Sequence, residues 1–582
     1  MIKDNLKSLT VAERDRQVLD LYNQLLEIEQ RLIPTGLHIF GQPPEPGNRA
    51  DMLRMIASFD RPEVGARALP DLIAEALCLP TYNALLSSQT SDERQMEFRE
   101  RVESIVSQAI GVFVERGKQA AASFLEGKAN VAVDESRPML ELLEKVSAQL
   151  KPNNEGKALL RALRGEFIEA GPGADIVQDP SILPTGRNTH AVNPYLIPSA
   201  SAFARAKSVA AKLLERYHDE NGRYPAAMAL VLWGLDNIKT EGEGVAQALW
   251  LLGVKPVRDS LNRATEVEAI PLRELNRPRI DVVMTVSGIF RDLFSPTMQL
   301  LDKAVRLVAQ LDEPPEMNYV RRHVLEQMAA RTCNFDEAAL RVFSNAPGNY
   351  GTNVNFMVID SQWERDESLG ELFVTRKCFA YGRDSSGCAI DGREARAAMD
   401  LALTRVEATY QNIDTFEIGI TDVDHYFEYL GGVSKAVETR AQSRPAIYLS
   451  DSLSRDSKVR TLEETVQLET RTKTLNPKWY EGMLKHGYRG VAEIENHVSN
   501  TFGWSATADA VDDWIYEEVA ETFLFDESML ERLTALNPHS AHALVGRLLE
   551  AHGRGYWAAD EETRRKLREI YGEIEDQIEG VA

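Results

Sequence analysis

The chain has 582 residues, with 66 Lys plus Arg against 89 Asp plus Glu, a net charge of −23. That length accommodates roughly four domains of about 150 residues, and a composition of 43% hydrophobic and 27% charged residues describes a folded rather than a disordered protein. The acidic balance argues against general nucleic-acid binding and against docking on an anionic membrane surface.

The four cysteines, Cys78, Cys333, Cys378 and Cys388, include no CxxC pair, so neither a zinc ribbon nor a redox motif is expected. So few cysteines suit a reducing compartment, most simply the cytoplasm. The N-terminal stretch MIKDNLKSLTVAERDRQ is polar and lacks an apolar signal core. The longest apolar run, Ala226–Leu235, is about half the roughly 20 residues a spanning helix needs, so it reads as a buried strand and no membrane span is expected.

The first 170 residues read as mostly helical. Val18, Leu19, Leu21, Leu25, Leu26 and Ile28 recur at helical spacing, and Met139–Leu150 and Lys157–Ile168 repeat the pattern around a turn at Asn154–Gly156. Residues 171–198 are dense in proline and glycine, which no helix survives, and a domain boundary is placed near their start. Residues 171–345 then alternate. A helix at Ser201–His218 precedes a strand at Ala227–Trp233, a helix at Gly242–Gly253, and strands at Lys255–Arg258 and Ile280–Gly288. A long helix over Leu293–Leu311 follows. Near-continuous apolar strands separated by helices imply an α/β fold with a Rossmann-like parallel sheet, whose ligands bind at the carboxyl ends of the strands. Residues 346–582 read as a mainly helical C-terminal domain. It holds short strand candidates at Glu417–Ile420 and Ala446–Leu449 and a charged amphipathic helix at Asp560–Ile578.

No GxxxxGK[ST], HExxH, GxSxG or GxGxxG occurs, so any ATP hydrolysis must be carried by another subunit. Four loops carry the chemistry that remains. LPTGRNTHAVNP offers Arg187, Asn188 and His190; an imidazole there either binds a metal, moves a proton, or simply hydrogen-bonds a neighbouring loop. SGIFRDLF offers Phe290, Arg291 and Asp292, with a structural Arg–Asp pair as the plain alternative. FSNAPGNYGTNVN offers Asn345 and a non-helical path that suits either a ligand loop or a connector. Arg471–Gly490 is a basic island holding Arg471 and Lys473, interleaved with Trp479 and Tyr480. That mix suits a flat apolar ligand carrying carboxylates, and equally an amphipathic helix with snorkelling lysines.

Taken together, LPTGRNTHAVNP, VLWGLDNIKTEGEGVAQALWLLGVKPV, LNRPRIDVVMTVSGIFRDLFSPTMQLLDKAV, RVFSNAPGNYGTNVN and LNPKWYEGMLKHGYRGVAEIENHVSNTFGWSATADAVDDWIYEE strongly resemble the large H subunit of magnesium chelatases, as do HGRGYW and the ending EDQIEGV. The cobaltochelatase large subunit is similar in the LPTGRN and SGIFRD segments, while NTHAVNP looks more like the magnesium branch. The resemblance implies ATP-dependent insertion of Mg²⁺, the substrate ion, into protoporphyrin IX on the way to chlorophyll or bacteriochlorophyll. It implies AAA+ partner subunits, I and D, that hydrolyse the ATP. It also implies a cytoplasmic setting, or a plastid stroma in a phototrophic eukaryote.

Family chains are longer, so the resemblance is to their C-terminal half, with the N-terminal half supplied separately. Under this reading His190 is the base or metal relay, with Glu166, Asp236 and Asp292 as carboxylates. Arg187, Asn188, Arg291, Asn345, Arg471 and Lys473 face the ligand's polar groups, and Phe290, Trp479 and Tyr480 pack its plane. Two other functions fit the same features: cobalt insertion into a corrin precursor, and a non-catalytic porphyrin carrier or scaffold.

Overall fold

The structure, a computed structural model, describes residues 36–87, 93–190, 192–330, 333–415, 417–451 and 457–581, with isolated positions between 10 and 33. Most of the predicted helix near Val18–Ile28 lies outside these residues. In chain order the strands are β1 (Ala170–Pro172), β2 (Asn188–His190), β3 (Ala227–Leu232), β4 (Val254–Arg258), β5 (Ala264–Ala269), β6 (Asp281–Val286), β7 (Val342–Ser344), β8 (Phe379–Arg383), β9 (Ala389–Glu394), β10 (Ala408–Ile413), β11 (Ala446–Asp451) and β12 (Val459–Thr461).

The chain divides into two compact units, Met1–His190 and Ala191–Leu453 with Ser457–Ala582. The division falls at His190/Ala191, some 20 residues beyond the start of the Pro/Gly-rich segment where the boundary is expected. No division appears at residues 345/346, because β8 to β12 complete the sheet that β3, β6 and β7 begin.

In the first unit, helices Pro46–Ile56, Leu69–Ala76, Glu93–Arg116, Lys118–Ala129 and Val133–Leu150 share a core that includes Leu53, Leu72, Ile105, Leu125 and Leu143. The predicted turn at Asn154–Gly156 opens a helix instead, Asn154–Leu163. The Asn153 side chain accepts from the Gly156 N–H and so satisfies one free donor of its first turn. The short parallel pair β1–β2 closes the unit.

The second unit is built on one mixed sheet of order β12-β11-β10-β3-β6-β7-β8-β9. Strands β11, β10, β3, β6 and β7 are mutually parallel; β12 and β8 run against their neighbours. Every residue of β3, β6 and β10 is buried. This is the pattern of a parallel sheet covered on both faces. The predicted strand near Lys255–Arg258 exists, but it pairs antiparallel with β5 as a separate ribbon. Glu417–Ile420 is not a strand; the strand is β10, just before it. The expected long helix runs from Ser295 to Gln310, and a separate short helix, Gly288–Leu293, precedes it.

At the amino end of the sheet, the first residue of β6 carries a buried charge cluster. Asp281 meets the Arg341 guanidinium through two contacts of 2.9 and 3.0 Å and His323 Nδ1 at 2.9 Å. Burial pushes the Asp281 carboxyl up, but Arg341 and His323 outweigh it and hold it down at about 2. A carboxylate depressed in the folded state stabilises the fold fully above its unfolded value of about 4 and loses that contribution as pH falls towards 2. Asp281→Asn is expected to cost about 3–5 kcal/mol, because it leaves Arg341 buried without its anion. Urea titrations from pH 7 down to pH 2 check both points. A variant as stable as the parent at pH 7, or with the same acid sensitivity, contradicts the assignment.

Candidate functional site

Strand order sets the site. From β3 the chain winds outwards through β6 to β7, then returns to the other side of β3 to lay down β10 and β11. The reversal lies between β3 and β10, and the crevice at their carboxyl ends is where open α/β sheets bind ligands. Trp233, Leu235 and Asp236 follow β3, Ser287 to Asp292 follow β6, Asn345 to Phe356 follow β7, and Asp414 to Ile418 follow β10.

Five large apolar side chains on these loops face solvent: Leu235, Ile289, Tyr350, Phe356 and Ile418, each 43–59% exposed. Their loops interlock. A Cβ on Gly234 would meet Ile289 Cγ2 at 2.6 Å, and one on Gly288 would collide with the Tyr350 ring, so glycine is required for that ring to lie flat on the backbone. Asn355 Nδ2 donates to Asp424 Oδ2 at 2.6 Å and joins the loop after β7 to the loop after β10.

Buried carboxylates hold this rim from beneath. Glu469 accepts from the backbone N–H groups of Ile420 and Thr421 at 2.8 and 2.9 Å and from the Thr421 hydroxyl at 2.8 Å. It approaches so closely that any side chain at Gly419 would overlap it. Asp422 accepts from His497 Nε2 at 2.8 Å and from Lys473 Nζ. Burial raises its carboxyl, yet Lys473 and His497 outweigh that and hold it well below the usual range. Glu428 accepts from the backbone N–H of Thr352, from the Thr352 hydroxyl at 3.0 Å, from Asn353 N at 2.9 Å and from His425 Nδ1 at 2.8 Å. Each carboxylate offers about four lone-pair positions, and Glu469 and Glu428 each spend three of them on donors of the rim loops.

The floor of the site is aromatic and cationic. Trp233 packs on Tyr429 and Tyr426 with ring centroids 4.5 and 6.1 Å apart. Lys377 is fully buried; its Nζ donates to Val286 O at 2.9 Å and Asn345 Oδ1 at 3.0 Å and sits 4.1 Å from the Tyr429 ring centroid. Burial pulls the Lys377 ammonium well below its ordinary value, against the opposing charge of Glu428.

The structure gathers some of the predicted residues here. Asp236 is buried in the crevice beneath Leu235, and Asp292 is at the rim, accepting from the Tyr350 hydroxyl. Asn345 is buried, donating to Gly351 O at 2.5 Å and Arg376 O at 3.2 Å. Arg291 is buried as a strut. It donates to Asp292 Oδ1, Ala346 O and Asn349 O at 2.7–2.8 Å and lies 5.1 Å from the Tyr350 ring centroid.

Others are engaged by protein groups. Phe290 is wholly in the core against Phe294. The basic island supports the rim rather than facing a ligand: Lys473 is spent on Asp422 and on Glu417 O at 2.8 Å, and Trp479 is buried against His497. Arg471 stacks on Trp514 and Tyr480 packs on Phe523.

Glu166, Arg187, Asn188 and His190 belong to the first unit. Arg187 donates to the carbonyls of Ser181, Ile182 and Leu183, Asn188 pairs with Glu169 and Ile168, and Glu166 meets Arg161 and Arg164. The backbone of His190 pairs in β2; its side chain lies outside the described set. Among the described residues, no group of three or more His, Cys, Asp or Glu is disposed to hold a metal ion, and no helix is long and apolar enough to cross a membrane.

Sequence reasoning missed Lys377, Asp414, Asp422, Glu428, Glu469 and His497. The one signal available was the density of acidic and aromatic residues in DVDHYFEYLGG, placed around a π-helical turn, Phe427–Gly431. Such turns concentrate at functional sites.

Comparison with known proteins agrees with this architecture. A family model described as CobN/Magnesium Chelatase matches residues 2–564. The chain is 43% identical to the magnesium-chelatase subunit ChlH, chloroplastic, of Oryza sativa subsp. indica, over 98% of this chain and 43% of that protein. It is 33% identical to the aerobic cobaltochelatase subunit CobN of a Sinorhizobium species, over 93% and 44%. The solved catalytic subunit of cobaltochelatase from Mycobacterium tuberculosis superposes with a TM-score of 0.88 at 35% identity, covering 97% of this chain and 47% of that one. The chain thus spans less than half the length of these relatives. The expected placement at their C-terminal end, and a separate N-terminal chain, are not borne out. With its full length matched in sequence and its fold matched in three dimensions, the chain belongs to the CobN/magnesium chelatase family.

Proposed function

We propose that this chain forms the tetrapyrrole-binding part of an ATP-dependent metal chelatase, with protoporphyrin IX as the macrocycle and Mg²⁺ as the ion inserted. The observation that carries the reading is the apolar rim of Leu235, Ile289, Tyr350, Phe356 and Ile418 around the carboxyl-end crevice. A contiguous exposed apolar patch rimmed by polar groups marks a binding surface. A flat, largely apolar ring covering it would gain about 1.5–3 kcal/mol for each side chain fully buried. The choice of magnesium is supported by the greater identity to the rice ChlH chain than to either cobaltochelatase relative.

The chemistry asks three things of the protein. It must hold the ring in one orientation, which a rim tied to buried carboxylates provides. It must take protons from the two pyrrole N–H groups, which needs an ionised acceptor at the crevice. It must exclude water around the reacting nitrogens, which the packed floor of Trp233, Tyr426 and Tyr429 favours. The chain carries no phosphate-binding loop, so ATP is assigned to AAA+ partner subunits.

Phe356→Asp and Ile418→Asp, singly, are expected to raise the Kd for protoporphyrin IX about tenfold or more, read by quenching of tryptophan emission, with the circular dichroism spectrum unchanged. Unaltered Kd values in both variants would exclude the rim. Cobalt insertion into a corrin precursor stands as the second reading because of the M. tuberculosis likeness. A paired assay, Mg²⁺ with protoporphyrin against Co²⁺ with the corrin precursor, separates the two. Metal insertion by the complete enzyme is expected only in the first pair and only with ATP present. Turnover confined to the cobalt pair reverses the assignment.

A further inference from the structure

Asp236 and Asp414 lie at the carboxyl ends of the neighbouring strands β3 and β10, at the point where the sheet reverses direction. Charge around them does not balance. Three carboxyl groups are buried together: Asp236 and Glu243, each 3% exposed, and Asp414 at 7%. Two cations reach them. Lys239 Nζ pairs with Asp414 Oδ2 at 2.9 Å, and Arg205 Nε pairs with Glu243 Oε2 at 3.0 Å. Among the described residues Asp236 has no cation of its own, its Oδ2 has only the Asn412 amide, at a distant 3.5 Å, and its Oδ1 has no donor. An unpaired carboxylate in such a place costs several kcal/mol, so it holds a proton instead.

The elements packed around it agree. From β10 come Asn412 and the Tyr410 hydroxyl, which is already committed to Asn412 Oδ1 at 2.7 Å and Ser450 Oγ at 2.6 Å. The helix Glu243–Leu251 contributes Gln247, 1% exposed, with neither amide atom hydrogen-bonded. Tyr426, also buried, stacks edge-on to Trp233 beside them and stays protonated. Burial, with the charges of Asp414 and Glu243, pushes the Asp236 carboxyl well above the usual range, against Asn412 and Lys239.

We propose that Asp236 and Asp414 form a proton-holding pair: Asp236 is the neutral acid, and Asp414, ion-paired with Lys239, accepts a proton at the crevice. This rests on the chelatase reading for the origin of that proton. In the step, a pyrrole N–H bond breaks, its electron pair stays on nitrogen, and the proton bonds to a carboxylate oxygen of Asp414. Asp236 is a positioning residue. By staying neutral it leaves Asp414 the negative partner of Lys239.

Two measurements on the full chain and the complete enzyme test this. Infrared spectra in ¹H₂O and ²H₂O at pH 7 are expected to show a protonated-carboxyl C=O band. Asp236→Asn should remove it, and Asp414→Asn should keep it. Absence of the band, or its survival in Asp236→Asn, overturns the proposal without touching the chelatase reading. In the metal-insertion assay Asp414→Asn is expected to lower kcat about 100-fold or more with porphyrin Kd unchanged. Asp236→Glu should shift the acid limb of the pH–rate profile, the readout expected of a positioning residue. Full turnover in Asp414→Asn overturns the proton-acceptor role. A parent enzyme that inserts no metal defeats the chelatase reading instead, and the infrared result still decides where the proton sits.

Discussion

Backbone N–H groups held by buried carboxylates are the constraint on which the site depends. The loops after β7 and β10 cross the carboxyl edge of a sheet whose central strands are buried on every residue. Such loops have no ladder partners, and their donors must be satisfied elsewhere. Glu428 and Glu469 do this from below, each taking backbone donors of a rim loop together with a threonine hydroxyl. Buried carboxylates bonded in this way are costly to disturb, so the rim inherits the rigidity of the core.

Those anchors arise from helical segments with unusual winding. Glu469 is the last residue of the helix Leu462–Glu469 and leads into a π-helical turn, Thr470–Thr474. Glu428 lies inside the π-helical turn Phe427–Gly431. A π turn shifts the phase of the side chains that follow, so groups that would point to one face in regular α-helix reach another. Lys473, in the first of these turns, is thereby brought to Asp422, and His497 from the helix Tyr488–Ala508 completes the contact.

This explains which parts of the protein were legible in its sequence. Strands β3 and β6 could be read because their residues are continuously apolar and their burial is complete. Strand β10 could not: Thr409, Gln411 and Asn412 are polar, and only the folded structure supplies Ser434, Trp233, Tyr410 and Ser450 to satisfy them. The loops after β3 and β6 are placed by the sequence at the carboxyl end of the sheet, and the structure adds the loop after β7; Asp236, Arg291, Asp292 and Asn345 lie there. The partners of the basic island could not be read because spacing counts charges without them; Asp422 lies 51 residues from Lys473 in sequence. Phe290 failed for a similar reason, since a six-residue helix turns its ring inwards onto Phe294.

Because the rim loops are fixed through their main chain, the identity of the side chains they display is nearly free of folding constraints. Phe356 points to solvent just after Thr352 and Asn353, whose backbone N–H groups Glu428 holds. Replacing one exposed group with another alters what the surface recognises while its contour persists. A scaffold of this kind lets natural variation explore new ligands in small steps. A family whose members are described by both magnesium and cobalt is the outcome such an arrangement permits.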